Sequence, residues 1–455
     1  MEAHQGRLPA SRVSPPASPA SSPRSSRRDA RVAIVGAGYA GLAAGVALAE
    51  AGVPVTIYEA SATPGGRARR VEIDGLALDN GVHILLGAYR DTLALIRKVG
   101  VALGDALLPL PLDWEMRDRF RFRAANLPPP LHLLVGLART RGASLRERWS
   151  AGKFLMQLRR ANYALERDIP VSALLERYAQ GGSFVRCLWE PLCYAALNTP
   201  PHTASAQVFL NVLRDGLDSR RTASDVLLAR RDLTALLPEP AAQYIREHGG
   251  EIRLGERVRG IEHADGRFRI RTDARGAEHT HAICATSPHH APALLAPLPG
   301  MASVAATIEA MRFEPIYTIY LRYPKGVRLA KPMLGLPGRT AQWLFDRGAI
   351  CGQHGLIAAI ISASGPHTSL THEALAQRVH EDLAHVLGDV PAPSWSRVIA
   401  EKRATFACTV GLHRPAQRTP LPGLLLAGDY TAGDYPGTLE SAVRSGLACA
   451  HAVLA

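Results

Sequence analysis

Residues 32–59 read VAIVGAGYAGLAAGVALAEAGVPVTIYE, and this stretch decides the fold. A short apolar run, 32–35, is followed by a glycine-rich turn, 36–41, and then by an Ala/Leu-rich stretch that ends near Gly52. A second β-rich run, 53–58, leads to Glu59. Apolar runs of strand length on either side of a helix-forming segment predict a strand, a helix and a second, parallel strand.

The turn between the first strand and the helix carries the spacing G-x-G-x-x-G, which in this context is typical of a dinucleotide-binding site. Gly36 is expected to make the tight turn, Gly38 to let the backbone approach a pyrophosphate, and Gly41 to let helix and strand pack closely. Glu59 can bind ribose hydroxyls, and its charge would repel a ribose phosphate. The motif therefore favours FAD or NAD over NADP.

Downstream segments favour FAD. Gly66 and Arg67 follow Glu59 closely, where a flexible backbone and a guanidinium could meet the pyrophosphate of an extended cofactor. Gly428 and Asp429 end a late apolar run, and Asp429 could accept a hydrogen bond from a ribityl hydroxyl. A helix is expected to start near Thr438, with its positive end towards the flavin. The expected cofactor-binding residues are Gly36, Gly38, Gly41, Glu59, Gly66, Arg67, Val258, Gly428, Asp429, Thr438 and Leu439.

β/α patterns of this kind occur in three separate parts of the chain. The fold class is therefore predicted to be α/β, with a Rossmann-like FAD-binding domain made of residues 31–95, 231–295 and 420–455. Residues 96–230 and 296–419 would form an inserted α+β substrate-binding domain. Residues 1–30 are rich in Ser, Pro and Arg and are predicted to be a disordered tail.

Composition excludes several classes of protein. The chain has 455 residues, 47% of them hydrophobic, and six scattered cysteines without a CxxC pair, so neither a disulfide-stapled module nor a metal site is expected. No apolar run reaches the length of about 18 residues that a membrane-spanning helix needs. The net charge is +13, but aromatic residues make up only 6% and no nucleic-acid-binding module is evident. A cytoplasmic protein that does not bind nucleic acid is expected.

The glycine motif, Gly65-Gly66-Arg67 and Ala427-Gly428-Asp429 together resemble the flavin-containing amine oxidase and phytoene desaturase superfamily. Residues from Arg31 to the C-terminus are similar to the hydroxysqualene dehydroxylase family, also described as squalene-associated FAD-dependent desaturases. The family pattern has Gln and Trp where this chain has Val82 and Tyr430. The segments that carry the closer similarity are 78–89, 189–192, 195–200, 204–208 and 438–446.

The resemblance implies an enzyme of hopanoid biosynthesis in which reduced FAD removes the allylic hydroxyl of hydroxysqualene and gives squalene. It implies a hydrophobic triterpenoid substrate, held in an apolar tunnel of the inserted domain, and an electron donor that no motif identifies. Two alternatives stay open. One is an FAD-dependent desaturase or oxidase of a polyene or an amine, and the other is a non-catalytic lipid carrier on the same scaffold.

Three residues are candidates for catalysis. His83 follows the Asn80-Gly81 turn, near where chains of this family pass the flavin, and an imidazole can deliver a proton near neutral pH. Tyr435 lies in the loop before the last helix and Glu190 lies in the inserted domain. Each also has a purely structural interpretation, as a hydrogen-bonded His, a turn residue or a helix-surface residue.

The segment 139–167 contains eight basic residues and two acidic ones. Phe154, Leu158, Ala161 and Leu165 recur there at helical spacing. One hypothesis is a peripheral contact of this helix with the cytoplasmic face of a membrane, with the apolar stripe inserted. The alternative is a solvated basic face.

Overall fold

The computed structural model describes residues 30–117, 119–274 and 276–455, so the prediction for the tail falls outside it except at Ala30. The strands are β1 (Val32–Val35), β2 (Val55–Glu59), β3 (Arg70–Ile73), β4 (Leu76–Asp79), β5 (Ile84–Leu86), β6 (Leu107–Leu110), β7 (Asp113–Met116), β8 (Phe120–Arg123), β9 (Val226–Ala229), β10 (Glu251–Leu254), β11 (Gly260–Ala264), β12 (Arg267–Arg271), β13 (Glu278–His279), β14 (His281–Cys284), β15 (Phe313–Arg322), β16 (Met333–Gly335), β17 (Trp343–Asp346), β18 (Leu356–Ser362), β19 (Trp395–Phe406) and β20 (Leu424–Leu426).

The α-helices are α1 (Tyr39–Glu50), α2 (Arg90–Lys98), α3 (Leu103–Ala106), α4 (Leu131–Ala138), α5 (Leu145–Arg160), α6 (Val171–Arg177), α7 (Gly182–Phe184), α8 (Glu190–Leu197), α9 (Ala206–Leu213), α10 (Leu233–Leu236), α11 (Pro238–Glu247), α12 (Ala291–Leu295), α13 (Ala302–Glu309), α14 (Arg347–Cys351), α15 (His372–Leu387) and α16 (Leu439–Leu454). Short π-helical segments, Val185–Trp189 and Arg214–Asp218, continue α7 and α9.

A five-stranded parallel sheet forms the centre of the first layer, in the order β10-β2-β1-β14-β20. Strand β1 is buried along its whole length, as a parallel strand covered on both faces should be. Helix α1 packs against both α11 and α16. The sheet draws strands from all three segments assigned to the cofactor domain, and the predicted Rossmann-like α/β fold is confirmed.

A seven-stranded mixed sheet, β19-β15-β18-β17-β16-β7-β8, forms the second layer. One face, with Ile319, Leu344 and Ile361, packs in a cluster with α15. The opposite face, with Tyr320 and Phe345, belongs to the main core of the molecule. Alternation along each strand therefore gives the sheet one face for its own helix and one for the interior.

A small antiparallel sheet, β5-β9-β6, joins residues on both sides of the expected boundary at residue 95. The seven-stranded sheet, by contrast, combines β7 and β8 with strands of 313–406, as an inserted domain built from two segments requires. The division into two domains stays a prediction. Its first boundary, at residue 95, would separate β5 from β6 and β9 of the same small sheet.

The helical region 131–218 corrects one expectation. Phe154 and Leu158 are fully buried, and the Phe154 ring lies 5.4 Å from that of Trp189. Helix α5 ends at Arg160, since the next residues include Asn162, which has a positive φ. The stripe expected to insert into a membrane therefore packs in the protein core, and Ala161 and Leu165 lie beyond the helix. No helix in the described part of the chain is long and apolar enough to cross a bilayer.

Candidate functional site

The glycine-rich turn between β1 and α1 is formed by backbone at very close range. Gly36 has φ +111°, and a Cβ atom there would lie 2.6 Å from the carbonyl oxygen of Ala285 on the neighbouring strand end. A Cβ on Gly41 would collide with the carbonyl oxygen of Gly36. Both positions therefore require glycine for packing.

A second glycine turn docks on the first. The backbone N–H of Gly65 donates to the carbonyl of Ala37 at 2.8 Å, and a Cβ on Gly38 would have the Cα of Gly66 as its nearest neighbour, at 3.9 Å. Because glycine has no side chain, the backbones of the two turns lie directly against each other. The result is a cradle of bare backbone at the N-terminus of α1, where amide groups and the helix dipole favour a pyrophosphate.

Glu59 closes the cradle at the carboxyl end of β2. One carboxylate oxygen accepts the N–H of Ala37 at 2.7 Å, and the other accepts the N–H of Ser61 at 2.8 Å. A carboxylate has about four acceptor positions, so it keeps capacity for further hydroxyl donors. Its orientation is fixed by backbone before any ligand binds.

Arg67 and Asp429 meet although 362 positions separate them in the sequence. The guanidinium donates to the Asp429 carboxylate at 2.6 Å and also to the carbonyl of Ala404. Burial disfavours the charged guanidinium, but the nearby carboxylate outweighs this and raises the pKa of Arg67. The pair holds a permanent positive charge and an acceptor side by side at the site.

The last helix, α16, begins beside the Arg67–Asp429 pair, in the same cavity. Thr438 caps α16 by accepting the N–H of Ser441 at 3.1 Å, while the Ser441 hydroxyl accepts the N–H of Thr438. The hydroxyl of Ser445, one helical turn further on, accepts the N–H of Gly428 at 2.8 Å. The helix N-terminus and the end of β20 are thus fixed to each other.

These parts surround one cavity of about 870 Å³, within the range of about 300–1,000 Å³ that is typical of ligand sites. Gly41 alone of the expected cofactor-binding residues does not line it, since its place is under the turn. A dinucleotide needs a backbone cradle, a ribose-binding acid and a cation, and the residues present fit FAD. The expected residues that line the cavity are Gly36, Gly38, Glu59, Gly66, Arg67, Val258, Gly428, Asp429, Thr438 and Leu439.

The inner face of the seven-stranded sheet lines the same cavity. Ile360 in β18 pairs in register with Thr318 of β15 on one side and with Trp343 of β17 on the other. All three line the cavity, as does Phe345, two residues beyond Trp343 on the same face. We call these four residues the sheet wall. It supplies a mostly apolar surface beside the cofactor cradle.

His83 is the catalytic candidate that lines this cavity. Its Nδ1 lies 3.0 Å from the carbonyl oxygen of Gly81, which can only accept, so Nδ1 carries a hydrogen. In the neutral ring Nε2 is therefore the unprotonated nitrogen. Burial, together with the charge of Arg67, lowers the pKa of His83, although the Gly81 hydrogen bond acts in the opposite direction.

Tyr435 and Glu190 are not among the lining residues. The Tyr435 hydroxyl donates to Asp215, and the Arg444 guanidinium lies over its ring at 4.3 Å from the centroid. Glu190 lies at the start of α8, where burial raises its pKa. The structure does not bring these two side chains together with His83.

Sequence reasoning missed the sheet wall and the carbonyl of Ala404. The alternation of Trp343 and Phe345 around Leu344 was available as a signal of one apolar strand face. Which strands would lie beside it could not be read from that pattern, because the pairing joins residues far apart in the chain.

Comparison with known proteins gives consistent results. Residues 39–454 match the family model of flavin containing amine oxidoreductases. The chain is 28% identical over 432 residues to a hydroxysqualene dehydroxylase of Zymomonas mobilis, covering 92% of this chain and 98% of the relative. A probable zeta-carotene desaturase of Synechococcus elongatus is 26% identical over 482 residues, covering 93% and 98%.

Solved structures share the fold. A putrescine oxidase variant superimposes with a TM-score of 0.72 at 17% identity, covering 93% of this chain and 98% of the other. A putative protoporphyrinogen oxidase from Exiguobacterium gives a TM-score of 0.68 at 19% identity, with the same coverage. With the cradle, the Arg67–Asp429 pair and a match over most of its length, this chain belongs to the flavin containing amine oxidoreductase family and is an FAD-dependent oxidoreductase.

Proposed function

We propose that the protein removes the hydroxyl group of hydroxysqualene reductively and releases squalene, as a step of hopanoid biosynthesis. The observation that carries the proposal is the similarity to hydroxysqualene dehydroxylases from three bacteria, at 28–29% identity over 92–93% of this chain. The mostly apolar sheet wall, in the same cavity as the cofactor cradle, suits a triterpenoid.

The cofactor would be held by the backbone cradle and Glu59 at one end and by Arg67, Asp429 and the start of α16 towards the other. Bound FAD in its reduced form supplies two electrons as a hydride equivalent. In the overall reaction the allylic C–O bond breaks, one proton leaves with the hydroxyl as water, and a C–H bond replaces it. The protein must therefore deliver a proton and exclude water from the allylic cation.

We assign the proton delivery to His83. When the ring is protonated, Nε2–H is free to donate because Nδ1–H is held by the carbonyl of Gly81. The lowered pKa makes the imidazolium a stronger acid than an exposed His. Glu190 and Tyr435 stand outside the cavity, so the proposal gives them no part in this step.

Trp343, Phe345 and Ile360 would bind the isoprenoid chain and keep water away from the reacting carbon. Burial of apolar surface contributes about 25 cal/mol per Å², so a long chain is bound by contact area with few polar groups. Thr318 is the polar member of the wall. Asn198 also lines the cavity, but its side-chain amide already donates hydrogen bonds to Thr405 and to a backbone carbonyl of β15.

Substrate supply and localisation belong to the same proposal. We place the protein at the cytoplasmic face of a membrane, where a triterpenoid is dissolved, with an electron donor that renews reduced FAD.

The experiment that tests the function is an anaerobic single turnover. FAD-loaded protein is reduced with dithionite, mixed with hydroxysqualene and extracted for analysis by gas chromatography and mass spectrometry. Squalene should appear in proportion to reduced enzyme, with reoxidation of the flavin absorbance. Unreduced protein is the control and should form none.

A second candidate is desaturation of a polyene, favoured by the similarity to zeta-carotene desaturases over 91–93% of this chain. In that case oxidised enzyme would bleach its flavin on adding a carotene, and reduced enzyme would leave hydroxysqualene unchanged. That pair of results would replace the first proposal. A non-catalytic carrier is not supported, because the Arg67–Asp429 pair that would hold the cofactor is in place and the family is one of oxidoreductases.

A further inference from the structure

Helix α4 has apolar residues on every side. Its inner positions include Leu133 and Leu137, which are buried in the core. On the other side, Leu131 is 50% exposed, Leu134 and Val135 are half-buried, and Ala138 is exposed. These four recur at i, i+3, i+4 and i+7, so they share one face. A helix with no polar face is normally covered on all sides.

The first turns of α5 extend this apolar surface. Leu145 is 79% exposed and Trp149 is 77% exposed, the highest values among the large hydrophobic side chains in the described part of the chain. They are four residues apart and hence neighbours on the helix. Helices α4 and α5 pack together, and Arg148 of α5 donates to the carbonyl of Ala138 at 3.0 Å. We call Leu131, Leu134, Val135, Ala138, Leu145 and Trp149 the α4–α5 face.

The charged side chains around this face that have no ion-pair partner among the described residues are mostly basic. Of the exposed basic residues on the two helices and their connection, Arg159 pairs with Asp218 at 3.4 Å. The other five form no ion pair with a carboxylate of the described residues; they are Arg139, Arg141, Arg146, Lys153 and Arg160. The single acidic residue between 127 and 160 is Glu147. Its carboxylate accepts the N–H groups of Ser144 and Ser183, and its one negative charge is outnumbered by the five unpaired basic residues.

The occupant of this face must offer an apolar surface bordered by negative charge. A second copy of the chain, related by twofold symmetry, would bring the same basic rim against itself and repel. Nucleic acid would leave Leu145 and Trp149 without an apolar partner. An anionic bilayer matches both features, since Trp and Leu insert at the headgroup level while Arg and Lys bind lipid phosphates.

We propose that the α4–α5 face docks the protein on an anionic lipid bilayer, with Leu145 and Trp149 inserted and Arg146 and Lys153 on the headgroups. This face differs from the buried Phe154 stripe that the sequence suggested. The proposal does not depend on which polyene is the substrate, because the docking surface is separate from the cavity lining.

The test uses the FAD-loaded full chain and sedimentation with vesicles of phosphatidylcholine, with or without phosphatidylglycerol. Wild type should bind the anionic vesicles and lose binding as salt is raised. The double variant Leu145→Ser/Trp149→Ser should bind roughly tenfold more weakly or worse, because it loses two apolar insertions. Arg146→Gln/Lys153→Gln should bind roughly tenfold more weakly at low salt.

Two matched variants serve as controls. Leu370→Ser removes another exposed Leu, and Lys325→Gln/Arg328→Gln removes two exposed charges from a different surface. Both should bind within about twofold of wild type, and flavin absorbance should be equal in all variants. Equal binding of wild type and the α4–α5 variants overturns the proposal. So does a wild-type dimer that Trp149→Ser converts to monomer, since the face would then be a subunit interface.

Discussion

The cofactor cradle and the sheet wall line the same cavity but are built in different ways. The cradle is made of backbone: two glycine turns in contact, a carboxylate fixed by N–H groups and helix N-termini. The wall is made of side chains placed in one row by the pairing of β15, β18 and β17. A site made of backbone needs particular residues, such as glycine, at fixed spacing. A site made of side chains can be formed by different apolar residues, provided that together they give a surface of the right shape.

Substitution within the glycine turn tests the backbone side of this comparison and should have the largest effect. Gly36→Ala would force a Cβ to 2.6 Å from the Ala285 carbonyl at a positive φ, so we expect protein without flavin and with a lowered melting temperature. Gly38→Ala has φ −77° and meets only the Cα of Gly66, at 3.9 Å. That variant should fold normally and lose FAD affinity alone.

The measurement is the ratio of flavin to protein absorbance together with thermal unfolding of the apoprotein. If Gly36→Ala and Gly38→Ala lower apoprotein stability equally, then the distinction between packing and cofactor approach does not hold.

His83 lines the same cavity as the two regions and should give the next largest effect. His83→Gln is expected to slow squalene formation by about 10²–10⁴ while FAD content stays the same. The wild-type rate should fall as pH rises above a midpoint lower than 6.5, the ordinary value for His, because burial lowers the pKa and only the protonated ring donates. The variant should lack this pH dependence. A variant with the wild-type pH profile would exclude His83 as the donor.

A buried ion pair connects the hairpin formed by β3 and β4 to α14, the helix that follows β17 of the seven-stranded sheet. Arg347 lies 3.4 Å from Asp79, both are nearly inaccessible, and Asp79 also accepts the N–H of Leu233. Arg347→Met would leave the Asp79 carboxylate buried without its cation and should cost about 3 kcal/mol in the free energy of unfolding, measured with urea. Adding Asp79→Asn should recover part of that loss.

The pH dependence of Arg347→Met has a definite sign. Burial raises the pKa of Asp79 above 3.8 even with Arg347 present, and removing the cation raises it further. A carboxyl group with a raised folded-state pKa lowers stability as pH rises through that pKa. The loss should therefore be complete above the raised pKa and vanish below about 3.8. A loss independent of pH would show that packing, rather than charge, holds this junction.

The residues of the cradle can be located from the sequence because their requirements are local. Gly36, Glu59 and Arg67 occur within 32 positions of one another, and their chemistry does not depend on distant pairing. Local sequence patterns in the runs 316–323, 356–362 and 397–405 also predict strands, and strands form there. Their order and register could not be, because a parallel or antiparallel neighbour is chosen by packing of the whole sheet.

The same limit explains the error at α5. The spacing of Phe154 and Leu158 shows an apolar face but does not state whether protein or lipid covers it. The exposed Leu145 and Trp149 make only one i, i+4 step. Because Arg141 and Lys153 occupy the next positions of that row, it gives no sustained periodic signal.

A conservative pair of changes at Ile360 tests the wall with the smallest effect. Ile360→Val removes one methylene, and Ile360→Thr has nearly the shape of Val but places a hydroxyl among Trp343, Phe345 and the substrate chain. Burying an unpaired hydroxyl costs about 1–3 kcal/mol, so the KM of Ile360→Thr should exceed that of Ile360→Val by roughly tenfold. FAD content should be the same in both, because Ile360 belongs to the wall and not to the cradle. Thr318 is the cross-strand neighbour of residue 360 and could accept the new hydroxyl, so the comparison is repeated in a Thr318→Val background, where the difference in KM should grow. If Val and Thr at position 360 give the same KM in that background, the substrate does not touch this row of the sheet.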